Sequence, residues 1–309
     1  MTDTRHAMDV AIGSYGIAPE GHRLPAETRL GPVRLQVTDV ERSLDYYQEV
    51  LGFRLAHRED GGATLTAGQD ARPLVKLRQR TGAASAPAGG RPGLYHFAIL
   101  LPTRGDLGRF LRHLAERGKQ AGAADHLVSE AAYLRDPDGL GIEVYADRPR
   151  SAWKTKGREL VMETDPLDVG SLLHSAGDSP WDGMPSGTKI GHVHLHVGDL
   201  QRAAKFYHRG LGLDKVVWSY PGALFLSTGG YHHHLALNTW AAEAMPAGDD
   251  EAKLLEWTLE LPDVQSVAAT AESLEAAGYS VERDAAGDFS SRDPWGTPLR
   301  VRMKQSGRG

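Results

Sequence analysis

Apolar and polar positions alternate in VRLQV (33–37) and in HVHLHV (192–197), the period of a strand with one buried face. Each stretch runs into Asp, then into helically spaced residues, then into Leu-Gly. GPVRLQVTDVERSLDYYQEVLGF (31–53) thus aligns with GHVHLHVGDLQRAAKFYHRGLGL (191–213) at an offset of 160. Asp39 matches Asp199, Tyr47 matches Tyr207, and Leu51-Gly52 matches Leu211-Gly212. The aspartates stand where a helix N-cap belongs and the glycines where a helix stops. A second pair, LYHFAILLPTRGDLGRFLRHLAERG (94–118) and LLEWTLELPDVQSVAATAESLEAAG (254–278), reads as a strand, a Pro and an amphipathic helix. Leu107, Phe110, Leu111 and Leu114 carry the apolar stripe of the first of these helices. Asp-Pro-x-Gly turns then lead into the closing strands DPDGLGIEV (136–144) and DPWGTPLRV (293–301).

The chain therefore reads as four βαβββ units, roughly 29–80, 94–146, 190–240 and 254–304. One helix for every three strands predicts an α+β class, with curved sheets that enclose a cup where two units pair. Residues 1–28, rich in Gly, Pro and charge, read as an N-terminal arm. A first pair of units spans 29–146, a connection 147–189, and a second pair 190–304. TGAASAPAGGRPG (81–93) has the composition of a flexible linker.

Composition narrows the chemistry. The chain has 309 residues and a formal net charge of −5, with no Lys/Arg cluster, so no nucleic-acid footprint is present. No apolar run reaches the length of a membrane span and no signal-peptide order opens the chain, which makes a cytoplasmic location the simplest expectation. There are 14 His and no Cys. Disulfides, thiolate metal sites and cysteine nucleophiles are thereby excluded, and any metal site must use nitrogen and oxygen ligands.

Three polar residues interrupt segments that otherwise look like buried strands. His96 lies in LYHFAIL, Glu143 between Ile142 and Val144, and His192 in IGHVHLHV. Two imidazoles and one carboxylate form the facial set that suits Fe(II), with Mn(II) accepted by the same ligands, and leave positions open for substrate and O2. The repeats supply an internal control. The counterpart of His192 is Pro32, that of His96 is Glu256, and that of Glu143 is Arg300. Only the second and third units carry the set, so these two must face each other, within one chain or across an interface.

In these residues the chain resembles the vicinal-oxygen-chelate superfamily, and within it the extradiol ring-cleavage dioxygenases of the catechol 2,3-dioxygenase kind. The resemblance covers nearly all of the chain from residue 30. It implies Fe(II) held by His96, Glu143 and His192, a small aromatic diol and O2 as substrates, and a homo-oligomer. FLSTGGYHHHLAL (225–237) resembles the family segment whose His-His pair supplies the general acid/base, which assigns that role to His233. The HHH run leaves His232 and His234 as neighbours, and strand alternation would point those two to one face. DHLVSEAAYLRDPDG (125–139) resembles the stretch that supplies a further His and Tyr, here His126 and Tyr133. His194 and His196 are expected to line the cup, and His208 to sit on a helix surface. In the best-known extradiol enzymes the ligands come from the third and fourth units, so the arrangement differs here. The rival readings are a glyoxalase-like metal-dependent isomerase or lyase, which resembles a site with two carboxylates, and a resistance protein that sequesters a small planar ligand.

Overall fold

The computed structural model describes residues 15–304. The first unit consists of β1 (Arg29–Val37), α1 (Val40–Asp45), β2 (Arg54–Glu59), β3 (Gly62–Thr66) and β4 (Val75–Gln79). The second has β5 (Gly93–Leu100), α2 (Arg104–Glu116), β6 (Gly122–Asp125), β7 (Ser129–Arg135) and β8 (Gly141–Asp147). A connection follows with a hairpin, β9 (Thr155–Lys156) and β10 (Glu159–Leu160), and a short helix α3 (Val169–Ser175). The third unit is β11 (Lys189–His196), α4 (Leu200–Ala204), β12 (Asp214–Val217), β13 (Ala223–Ser227) and β14 (Leu235–Asn238). The fourth is β15 (Lys253–Leu261), α5 (Val264–Ala276), β16 (Val281–Arg283), β17 (Phe289–Arg292) and β18 (Pro298–Met303).

Local signals shape these elements as the sequence suggests. The Asp39 carboxylate accepts from the N–H groups of Glu41 and Arg42, and Asp199 accepts from that of Arg202. Each cap satisfies amides that a helix start leaves unpaired. Gly52 and Gly212 end their helices at φ 86° and 95°, a region that disfavours side chains. The α2 helix opens on a reciprocal capping box between Thr103 and Asp106.

The units pair crosswise. One eight-stranded sheet has the order β16-β17-β18-β15-β1-β4-β3-β2 and joins the first and fourth units. The other, β12-β13-β14-β11-β5-β8-β7-β6, joins the second and third. The seams are the antiparallel pairs β1 with β15 and β11 with β5. One face of both sheets shares a continuous apolar core with the helices, including Leu35, Phe97, Ile99, Val193, Leu195, Trp257 and Leu259.

Buried tyrosines tie one sheet to the other. Tyr47 Oη of the first unit lies 3.2 Å from Asp136 in the Asp-Pro-x-Gly turn of the second. Tyr207 Oη of the third donates to Asp293 of the fourth at 2.9 Å. The matched tyrosines thus bind the matched turns. Burial raises the Asp136 carboxyl to about 7. Asp293 is raised in the same direction for the same reason.

The flanking segments are less idle than their composition implies. In the 81–93 stretch Ala84 pairs with Glu251, and the Ala86 amide donates to the Asp138 carbonyl. Residues 1–14 of the arm lie outside the described residues. The rest of the arm runs beside the third unit, where Ile17 pairs with Lys215 and Arg23 grips Asp214. Among the described residues no helix is long and apolar enough to cross a membrane.

Candidate metal centre

Strand register brings His96, Glu143 and His192 together within one chain. His192 on β11 stands opposite Ala98 on β5, and Ala98 stands beside Glu143 on β8. Glu143 is in turn opposite Tyr133 on β7. These residues form one row on the cup face, with His96 two positions before Ala98. A methyl group at Ala98 leaves room between the imidazole and the carboxylate.

Two β-bulges aim the imidazoles. Opposite the step from Ile99 to Ala98, β11 advances from Ile190 to His192, so Gly191 is the extra residue. That glycine is required, because a Cβ there would lie 1.8 Å from the Tyr145 hydroxyl oxygen. Tyr95 is the corresponding extra residue on β5. Its ring packs 4.9 Å from that of His96 and 4.9 Å from that of His194.

The three side chains are buried to 5%, 2% and 1% exposure. His96 Nε2 lies 3.0 Å and His192 Nε2 3.1 Å from Glu143 Oε2, and the two nitrogens are 3.4 Å apart. Burial alone would raise the Glu143 carboxyl, but His192 and His96 hold it well below the usual carboxylate range. Burial lowers His96, against the pull of Glu143. The site therefore presents an anionic carboxylate and, at His96, an imidazole biased toward neutrality, the protonation states that metal ligation needs. The spacing fits one ion as well. Two metal–ligand bonds of about 2.1 Å at a right angle put their donor atoms roughly 3 Å apart.

Around this centre lie the other residues that the sequence singled out. Tyr133 Oη is 2.5 Å from His126 Nε2, while His126 Nδ1 is 2.7 Å from the Glu163 carbonyl oxygen. The carbonyl can only accept, so Nδ1 carries the proton and Tyr133 donates to Nε2. Burial, then the Glu143 charge, pushes Tyr133 well above its usual value, so it keeps its proton.

The HHH run is not a strand: β14 begins after it, at Leu235. Its members do not alternate and have different partners. His232 Nε2 donates to Asp147 Oδ1 at 2.8 Å, and His232 Nδ1 meets His233 Nδ1 at 2.7 Å. The His233 ring lies 4.1 Å from that of His192. His234 turns to Ser227 at 3.0 Å. His194 and His196 share Asn238 on the cup face, at 2.8 and 2.6 Å. The expectation of a surface position for His208 is corrected: its side chain is buried and donates through Nδ1 to the Leu213 carbonyl.

The connection supplies residues that sequence reading missed. Trp153, Leu160 and Met162 pack with Val217, Phe225 and Ala236 in an apolar cluster. Phe225 pairs with Ala236, and Ala236 with His194, so this cluster lies on the cup face. Residues 159–165 strap the two outer edges of the sheet. Glu159 receives the amides of Trp218 and Ser219, and Asp165 pairs with Asp125. The apolar run Leu160-Val161-Met162 in the connection was the available signal.

The family model for the Glyoxalase/Bleomycin resistance protein/Dioxygenase superfamily matches residues 29–144 and 189–298. The chain belongs to this superfamily. It is 45% identical over 273 residues to a catechol-2,3-dioxygenase of Bacillus subtilis (strain 168), which covers 87% of this chain and 94% of that one. It is 28% identical over 127 residues to biphenyl-2,3-diol 1,2-dioxygenase 3 of Rhodococcus globerulus, covering 38% of this chain and 63% of the relative. Among solved structures, glyoxalase I of Zea mays aligns with a TM-score of 0.52 at 19% identity, over 89% of this chain and 92% of its own, and shares the fold. The similarity over almost the whole of this chain and the Bacillus subtilis chain makes the protein an enzyme of the extradiol dioxygenase kind.

Proposed function

We propose that the protein cleaves a catechol-type aromatic diol with O2, using Fe(II) held by His96, Glu143 and His192. The observation that carries this reading is the convergence of three buried donor atoms, with separations of 3.0 to 3.4 Å, in the superfamily member described above. Among the described residues the cluster has one carboxylate, which favours ring cleavage over an isomerase-type site. When bound, Fe(II) supplies the Lewis acidity and electron transfer that join diol and O2.

The protein's own part is positioning and proton transfer. Asp147 fixes a proton of His232 on Nε2, and a His232 ring with that single proton accepts through Nδ1. The 2.7 Å contact then needs His233 to donate from its own Nδ1, which leaves its Nε2 with a lone pair. Burial, with His192, His232 and His194 nearby, lowers His233 well below the ordinary histidine value. It is neutral at pH 7 and able to take a substrate hydroxyl proton. Tyr133, protonated and beside Glu143, would donate to an oxygen on the ring or on O2 by turning its one proton away from His126 Nε2. Phe225, Leu160 and Met162 give an aromatic ring an apolar wall that keeps water out.

The test compares His233→Ala with Glu143→Ala for Fe(II) content and O2 consumption with catechol. His233→Ala should keep iron and lose about 10²–10⁴-fold in turnover. Glu143→Ala should lose iron. Normal turnover by His233→Ala would remove its assigned role, and full iron retention by Glu143→Ala would remove the ligand set.

A further inference from the structure

A cavity of about 640 Å³ lies where residues of all four units meet. Its lining is near-symmetric. Arg135 and Arg292 each precede an Asp-Pro-x-Gly turn, and each donates through Nη1 to the turn's glycine carbonyl, Gly139 or Gly296. Arg80 stands on a third side, at the counterpart of Trp240. Trp240 is 52% exposed, and its ring meets Tyr95 edge-on at 5.5 Å.

The charge balance is one-sided. Arg91 is paired with Glu251, and Lys253 with Asp249. Asp249 is the one carboxylate on the lining among the described residues, and Arg80 and Arg292 act on it from beyond ion-pair distance. Arg80, Arg135 and Arg292 have no carboxylate within ion-pair distance among the described residues, although the chain as a whole is acidic. Guanidinium groups without a carboxylate partner suit a carboxylate, even with one Nη1 spent on a turn carbonyl, and the exposed Trp240 suits a planar ring. The position, at the junction of two sheets, is one where small-ligand sites commonly form.

We infer that this cavity is a second ligand site, which binds an aromatic carboxylate with its ring against Trp240 and Tyr95 and its carboxylate on Arg80, Arg135 and Arg292. It adjoins the metal centre through Tyr95, whose ring lies 4.9 Å from that of His96, but none of its anchoring residues is a metal ligand and it needs no metal. Its test is therefore independent of the proposed ring cleavage.

The experiment titrates the full-length protein with benzoate by calorimetry and by tryptophan fluorescence, with and without a chelator. The neutral benzyl alcohol, the non-aromatic cyclohexanecarboxylate and inorganic phosphate serve as comparison probes. Benzoate should bind equally well with and without chelator, and less tightly as salt rises. Benzyl alcohol and cyclohexanecarboxylate should each bind at least about tenfold more weakly. Arg135→Ala with Arg292→Ala should weaken benzoate by about tenfold or more. Trp240→Leu, at an exposed position, should weaken benzoate more than cyclohexanecarboxylate. Unchanged benzoate affinity in both variants, or no benzoate binding at millimolar concentration, would overturn the site. Phosphate binding as tightly as benzoate would overturn the aromatic assignment, and loss of benzoate binding on chelation would move the ligand to the metal centre.

Discussion

Replacing Gly191 by Ala probes the device that aims His192. The new Cβ would lie 1.8 Å from Tyr145 Oη, 2.7 Å from Tyr145 Cζ and 3.0 Å from Leu100 Cβ. Comfortable non-bonded separations are about 3.5 Å, so the worst overlap is roughly 1.7 Å. Tyr145 is fully buried and its hydroxyl is 2.7 Å from that of Tyr231, so it has little freedom to yield. Overpacking of this kind costs about 1–3 kcal/mol, and a broken hydroxyl pair about 1 kcal/mol more. Because the strain falls next to His192, metal affinity should drop along with stability. Tyr145→Phe alone loses about 1 kcal/mol, since Tyr231 still donates to Asp147. The double variant removes the 1.8 Å contact but keeps the 2.7 Å one. Rescue should therefore be partial, with a favourable coupling of about 1–2 kcal/mol. Denaturant melts of all four proteins, with metal titrations on each, measure the cycle. Strict additivity, or normal metal affinity in Gly191→Ala, would refute the claim that the Tyr145 hydroxyl occupies the space of a residue-191 side chain and that the bulge sets His192.

Ala98→Leu should fill the space between His192 and Glu143, destabilise the protein by about 1–3 kcal/mol and abolish stoichiometric metal uptake; metal analysis of the purified variant checks this. The Asp136 carboxyl, raised to about 7, should make stability fall as pH rises from about 4 to about 7, because ionisation costs more in the folded than in the unfolded chain. Asp136→Asn can still accept from the amides of Asp138 and Leu140 and face Tyr47, so it should flatten that slope by an amount on the order of a few kcal/mol; melting curves across the pH range decide.

The repeat was legible because the fold repeats its local signals. Asp39 and Asp199 cap, Gly52 and Gly212 stop, and the Asp-Pro-x-Gly turns recur at matched positions. The candidate ligands were legible because a carboxylate between Ile142 and Val144 has no cheap place in a buried strand. Other features depend on contacts distant in sequence and left no local pattern. The bulge at Gly191 is set by Tyr145, and the HHH run bends because Asp147 and Ser227 take different members of it. His208 looked like a surface residue, but it lies in the wide helical turn Lys205–Gly210 that follows α4, where its buried ring reaches the Leu213 carbonyl. The connection's role in the cup was hidden because three apolar residues make no periodic signal.

The two sheets share one topology, yet among the described residues only one gathers a candidate ligand set, and the other shows what stands on the equivalent ground. Where the second and third units place His192, His96 and Glu143, the first and fourth place Pro32, Glu256 and Arg300. Pro32 offers no ligand atom. Arg300 is an ion-pair partner of Asp284 and Asp288, so a cation stands where an anionic ligand would be required. Farther along the same sheet, Glu260 is buried to 2% exposure and held by Arg29, Arg72 and Arg302. Three guanidinium groups on one carboxylate neutralise it internally and leave it no call for a metal. Glu143 is buried to the same degree, but its partners are two imidazoles that are neutral when they ligate. A carboxylate surrounded by arginine is closed to further chemistry. One surrounded by imidazole remains an anion that a divalent ion can satisfy, and this difference in partners separates the scaffold sheet from the one that carries the candidate site.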